Sequence, residues 1–267
     1  MSKSELNVIK IGGNVIDNSE NLYNFLKDFT ALKGYKILVH GGGKVATQLS
    51  ETLGIEPKMV DGRRITDIET LRVVTMVYGG LINKNIVAQL QRFGTNAIGL
   101  TGADGNFIRA NKRPVKTIDY GFVGDLNETS IDPENIKKLI YGGFTPVFCA
   151  ITHDGDGQLL NTNADTIASA LAVSLATTYD TTLVYCFEKK GVLRDIDDDE
   201  SLIAEMDPVY YEELKEKNII HSGMLPKLDN AFTAINCGVN AVHIGHANNL
   251  GKLKENGSFG TRLSKHA

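Results

Sequence analysis

The sequence has no tryptophan, six prolines and three cysteines in 267 residues. Cys149, Cys186 and Cys237 lie in or beside apolar segments, without C-x-x-C spacing or flanking histidines. That argues against a disulfide framework or a zinc site and leads us to expect buried thiols in a reducing cytoplasm. No apolar stretch approaches the ~20 residues that span a bilayer. The start, Met-Ser-Lys-Ser-Glu, has no apolar signal-peptide core, so neither a membrane partner nor export is expected. Charge of one sign is not in excess. With 28 Lys and Arg against 32 Asp and Glu, the net charge is −4, and no basic nucleic-acid surface is indicated. An obvious Ser/His/Asp or Cys/His constellation is also missing.

What is present is glycine, 27 residues of it, clustered at the ends of short apolar runs. Val8-Ile9-Lys10-Ile11 ends in Gly12-Gly13, and Ile37-Leu38-Val39-His40 ends in Gly41-Gly42-Gly43. A buried parallel strand that enters a helix through glycines turns backbone N–H groups toward a ligand, which suits phosphate or carboxylate. Further strands are expected at Ala97–Leu100, Thr145–Cys149, Thr182–Cys186 and Ala241–Ile244. Helices are expected at 21–33, at 67–78 behind a Thr66/Glu69 capping box, at 134–141 after Asp132-Pro133, and at 163–175. The alternation predicts an α/β protein, an αβα sandwich with a mostly parallel central sheet. Hairpins at 59–65, 107–116 and around His153–Gly157 are expected to decorate its edge. A boundary near residue 175 divides the chain into lobes 1–175 and 176–267.

Several positions carry two readings. Lys10 is either a lysine that snorkels from a strand end or a cation for a transferring phosphoryl group. Gly43-Lys44 imitates a Walker motif, but Val45 stands where Ser or Thr is required. Asn163 caps the helix that follows it and Asp165 lies in its first turn, a full structural explanation. Asn161 and Asp165 are also residue types that bind polar ligands and orient lysines. Lys227, after Gly223-Met224-Leu225-Pro226, opposes the helix dipole unless it meets an anion. Of Arg63 and Arg64, one suits a carboxylate and the other is a surface charge.

Taken in order, KIGGNVID, VHGGGK, VDGRRITDIETLRVV, INKNIVAQL, AIGLTGADGN, NTNADTIASALA, SGMLPKLDNA and the closing GTR resemble the amino acid kinase family over nearly the whole chain. The resemblance implies phosphoryl transfer from ATP to the γ-carboxylate of an N-acylated glutamate in arginine biosynthesis, with acetyl as the default acyl group. It implies that Lys10 and Lys227 hold phosphoryl oxygens and that Asp165 orients them. Gly12, Gly13, Gly42 and Gly43 would offer N–H groups, Arg64 would bind the α-carboxylate, and Asn161 would bind near the acylated nitrogen. Gly12, Gly13, Glu188, Gly191, Gly223 and Met224 would contact ATP, with Mg²⁺ carried on its phosphates and no protein metal site. The first lobe would bind the acyl amino acid and form a homodimer, and the second would bind ATP.

Two departures stand out. Cys186-Phe187-Glu188-Lys189-Lys190-Gly191 replaces a Thr-Asp-Val-Pro-Gly-like run, and Ala103 replaces a lysine. The short segment before the first strand leads us to expect a dimer without arginine feedback. An N-succinyl-glutamate or acyl-aminoadipate substrate, or a non-catalytic amino-acid sensor, are the alternative readings.

Overall fold

Residues 3–60, 62–220, 223–253, 255 and 259–265 are described in this computed structural model. Asp61 and Ser222, which the motifs above include, lie outside them. The chain begins with β1 (Glu5–Ile11), the four-residue α1 (Gly13–Ile16), α2 (Ser19–Ala31) and β2 (Tyr35–His40). Helix α2 starts two residues before the expected Asn21 because the Asn18 side chain accepts from the N–H groups of Glu20 and Asn21, each at 3.0 Å. Its apolar stripe, Leu22, Phe25, Leu26 and Phe29, is buried.

Next come α3 (Gly43–Thr52), the hairpin β3 (Met59–Val60) and β4 (Arg63–Arg64), and α4 (Ile68–Val74). A π-helical stretch, Thr75–Ile82, runs from α4 into α5 (Asn83–Arg92). The cap of α4 is Asp67, whose carboxylate accepts from Thr70 N–H at 2.8 Å; the expected Thr66 cap is not formed. Thr66 is committed elsewhere. Its N–H donates to Tyr120 O at 2.9 Å, and its hydroxyl accepts from Asn161 Nδ2 at 3.0 Å.

The chain continues through β5 (Ala97–Leu100), β6 (Asn111–Lys112), β7 (Val123–Asp125), α6 (Pro133–Tyr141), β8 (Thr145–Cys149), β9 (Ile151–His153) and β10 (Leu159–Thr162). It closes with α7 (Ala164–Leu175), β11 (Asp180–Phe187), β12 (Glu205–Met206), α8 (Pro208–Glu216), α9 (Leu225–Asn236), β13 (Ala241–His246) and β14 (Gly260–Leu263). As expected, Asp132 and Asn163 cap α6 and α7 by accepting from Asn135 and Thr166 N–H, each at 3.1 Å.

Contacts divide the chain into two compact units, one of Met1–Lys36 with Leu171–Ala267 and one of Ile37–Ala170. Sequence reading placed a single boundary near 175; the first 36 residues instead group with the C-terminal part. In the first unit the strand order is β12-β14-β13-β11-β1. It is parallel except where β13 and β14 run antiparallel. In the second unit β2, β8 and β5 lie side by side and parallel. The runs Val8-Ile9, Ile11, Ile37–Val39 and Val147–Cys149 are fully buried, as strands covered on both faces require.

The short strands do not decorate the large sheet's edge. β6, β7, β10 and β9 form their own four-stranded sheet, and β3 and β4 form a separate pair. The pairing expected inside 107–116 is instead non-local: β6 runs antiparallel to β7, and Ile108 bridges Ile131. Cys149 and Cys186 are buried, but Cys237 is exposed because it follows the last turn of α9. No helix of the described residues is long and apolar enough to cross a membrane.

Candidate active site

In the first unit the expected nucleotide-side residues gather at the carboxyl ends of β1 and β11. Lys10 lies directly opposite Tyr185 in the β1–β11 register, so its side chain shares a face with Tyr185 and Phe187. The residue is 9% exposed. Gly12 is the N-cap of α1, and a Cβ there would meet nothing closer than Lys10 Nζ at 3.8 Å. Packing within the protein does not demand glycine at this position; the missing side chain keeps the space beside the Lys10 ammonium clear. Gly13 opens α1. Lys227 lies in the first turn of α9, and its Nζ stands 3.8 Å from the centre of the Phe187 ring.

Beyond the end of β11 an apolar cavity of about 260 Å³ is lined by Lys189, Gly191, Val192, Leu193, Ile196, Ile220, Gly223 and Met224. Three of the expected nucleotide contacts, Gly191, Gly223 and Met224, are on its wall. Glu188 is exposed and is not part of it. Val192, Leu193, Ile196 and Ile220 were not singled out from the sequence. Their side chains make this wall of the cavity apolar.

In the second unit the glycine turn after β2 has two distinct glycines. Gly42 has φ of 149°, and a Cβ there would lie 2.2 Å from Ile82 Cδ1 and 3.0 Å from Tyr78 Cδ1. Close packing of the π-helical stretch therefore explains this glycine. Gly43, the first residue of α3, is open: a Cβ would stand 3.9 Å from both Arg64 Nη2 and Tyr78 Oη. Lys44, in the first turn of α3, is exposed.

Arg64 reaches from β4 across the start of α3. Its Nη2 donates to Gly43 O at 2.9 Å and to Thr47 Oγ1 at 2.7 Å. Its Nη1 is buried and has no hydrogen-bond partner among the described residues. A buried guanidinium N–H without an acceptor is costly, and a ligand carboxylate removes that cost. Tyr78 adds a buried phenol beside this arginine, its pKa raised by burial. Arg63 is exposed, the surface charge of the pair. Asn161, at the end of β10, donates from Nδ2 to Thr66, leaving its side-chain oxygen as an acceptor. Asp165 lies in the first turn of α7. Among the described residues no group of three or more His, Cys, Asp and Glu side chains could hold a metal ion.

The turn is braced from beneath. Buried His40 donates from Nδ1 to Gly41 O at 2.8 Å, and its Nε2 accepts from Asn83 Nδ2 at 3.1 Å. Asn83 Nδ2 also donates to Val147 O at 2.9 Å, and its Oδ1 accepts from Lys84 Nζ at 3.1 Å, which fixes the orientation of the amide. A proton on Nε2 would face the Asn83 amide donor. Burial lowers the His40 pKa to about 4, and burial with Arg262 nearby lowers His243 to about 4. Both histidines bind protons more readily in the unfolded chain. Stability is therefore complete above pH 6.5 and falls as pH drops from there toward 4, by about 1.4 kcal/mol per pH unit for each histidine. Urea midpoints at pH 7, 6 and 5 should decline accordingly, and His40→Asn should flatten the decline.

The profile of the amino acid kinase family matches residues 5–246. The chain belongs to the amino acid kinase family. It is 59% identical over 261 residues to the acetylglutamate kinase of Cytophaga hutchinsonii, covering 97% of this chain and 98% of that protein. It is 54% identical over 263 residues to the acetylglutamate kinase of Bacteroides thetaiotaomicron, covering 98% and 100%. The solved structure of smu.665 from Streptococcus mutans UA159 is 26% identical with a TM-score of 0.76, covering 98% of each chain.

Proposed function

We infer that this protein transfers a phosphoryl group from ATP to the γ-carboxylate of N-acetyl-L-glutamate in arginine biosynthesis, giving an acyl phosphate and ADP. Identity of 59% and 54% to acetylglutamate kinases, over nearly the full length of each, carries this reading. The buried Arg64 Nη1, without a hydrogen-bond partner among the described residues, supports it chemically, because an amino acid acceptor brings an α-carboxylate.

The residue roles are part of the proposal. Arg64 pairs with the α-carboxylate, beside Tyr78. The Asn161 oxygen accepts the substrate's amide N–H. Backbone N–H groups at Gly42 and Gly43, at the start of α3, receive the reacting carboxylate. On the nucleotide side, Gly191, Gly223 and Met224 wall the adenine cavity, and Gly12 and Gly13 leave room for phosphates next to Lys10. A γ-carboxylate oxygen forms a bond to the γ-phosphorus while the bond from that phosphorus to the β,γ-bridging oxygen breaks. The acceptor is already ionised at neutral pH, so no general base is needed. Lys10 and Lys227 stabilise charge on the transferring group, with Asp165 as their orienting carboxylate. Mg²⁺, carried on the nucleotide, would neutralise its phosphates.

The proposal extends to a homodimer acting in the cytoplasm. Free cysteines and the exposed apolar side chains of Ile68, Met76 and Leu81 in the second unit support it. A coupled ADP-release assay over a panel of N-acylated acidic amino acids tests the chemistry. Turnover highest with N-acetyl-L-glutamate is expected, and preference for a succinyl or aminoadipyl substrate would overturn the acyl assignment. The same preparation should sediment as a dimer; a monomer or hexamer would count against that part.

A further inference from the structure

Phe187, the last residue of β11, lies under both lysines assigned to phosphoryl transfer. Lys10 Nζ is 5.2 Å from the centre of its ring and Lys227 Nζ is 3.8 Å from it. Both distances are within the range of attraction between an ammonium and a π face. The two cations arrive from different directions. Lys10 comes along β1, on the face that it shares with Tyr185 and Phe187, and Lys227 comes from the first turn of α9. The ring is itself fixed, half-buried and stacked on Tyr185 with centroids 6.1 Å apart and an interplanar angle of 20°.

Two unfavourable placements meet at this ring. Lys10 is almost wholly buried, and Lys227 is at the positive end of a helix dipole. The two ammoniums also repel each other as they converge. In the proposed mechanism Asp165 orients them, and a further carboxylate would cancel more of the positive charge that the transferring phosphoryl group needs. An aromatic ring attracts an ammonium through its quadrupole and leaves the charge intact.

We propose that Phe187 is a positioning residue for phosphoryl transfer, a neutral platform that gathers the ammoniums of Lys10 and Lys227 over one ring without neutralising them. This rests on the reading of those two lysines as the phosphoryl-stabilising pair. Phe187 touches no reacting atom in this scheme; it acts through the lysines. Its loss should therefore affect kcat and leave acceptor binding alone.

The test uses the full chain. Phe187→Leu should lower kcat roughly ten-fold and leave the KM for N-acetyl-L-glutamate within about two-fold, while Phe187→Tyr, which keeps the ring, should stay near the parent enzyme. Equal losses in both variants, or a kcat unchanged in Phe187→Leu, would overturn the proposal. A second measurement does not depend on how a variant folds. In the parent protein labelled with ¹³C-lysine, the Cε protons of Lys10 and Lys227, assigned by Lys→Arg drop-out, should carry upfield ring-current shifts. Unshifted protons on both would overturn it as well. Lys10→Ala and Lys227→Ala separate the two levels. If they lower kcat strongly while Phe187→Leu leaves it at the parent value, the platform alone fails; if they keep the parent turnover, the lysine roles fail and the platform with them.

Discussion

Lys10→Ala and Lys227→Ala should each reduce kcat by roughly 10²–10³, the usual cost of removing one charge-stabilising donor from a transition state. Transfer of a phosphoryl group to an ionised carboxylate asks little covalent chemistry of the protein. Alignment and positive charge do the catalysis, so losing either lysine removes a large share of it. The KM for N-acetyl-L-glutamate should hardly move, because the acceptor's α-carboxylate is assigned to Arg64. Neither change should unfold the chain. Lys227 is at a helix start where alanine is well tolerated, and Lys10→Ala leaves the backbone pairing of β1 with β11 intact. Stopped-time ADP assays with circular dichroism on each variant would check both halves. Turnover at the parent rate in a folded variant would contradict the lysine roles.

Arg64→Ala should raise the KM for N-acetyl-L-glutamate by about 10²-fold, with a much smaller effect on the KM for ATP. Truncating one side of a desolvated, hydrogen-bonded charge pair costs roughly 2–5 kcal/mol. Arg64→Lys should recover little. One ammonium cannot serve Gly43 O, Thr47 Oγ1 and a ligand carboxylate at once, as the guanidinium fork does. The α-amide of the substrate provides the internal check. Parent enzyme should discriminate strongly against it, and Arg64→Ala should discriminate far less. An unchanged acceptor KM in Arg64→Ala would remove the α-carboxylate from this arginine.

Strands and most helices were legible because their signals are local. Continuous apolar runs ending in glycine mark buried parallel strands, and Asp132-Pro133 marks a helix start regardless of surroundings. The failures have a common physical origin in long-range contacts. Thr66 looks like a cap, but its hydroxyl is taken by Asn161, 95 residues away, so Asp67 caps α4 instead. The π-helical stretch TMVYGGLI has no periodic signal, being apolar nearly all round, and its cause is tertiary: it packs Tyr78 and Ile82 against Gly42. The pairing of β6 with β7 depends on residues more than ten positions apart. At the site, lysines, arginine, glycines and Asn161 were visible as chemistry-bearing types in recognisable runs. Phe187, Tyr78 and the cavity wall at Val192, Leu193, Ile196 and Ile220 were not, because an apolar residue in an apolar run looks like core until its neighbours are known. Glu188, a carboxylate in the expected place, is exposed and off the cavity wall.

The most direct test traps the product. An acyl phosphate reacts with hydroxylamine to give a hydroxamate that ferric iron turns coloured. Purified protein with ATP, Mg²⁺, N-acetyl-L-glutamate and hydroxylamine should form the γ-hydroxamate in step with ADP, and omission of either substrate should abolish it. ADP release without hydroxamate, or no reaction at all, would contradict phosphoryl transfer to the γ-carboxylate.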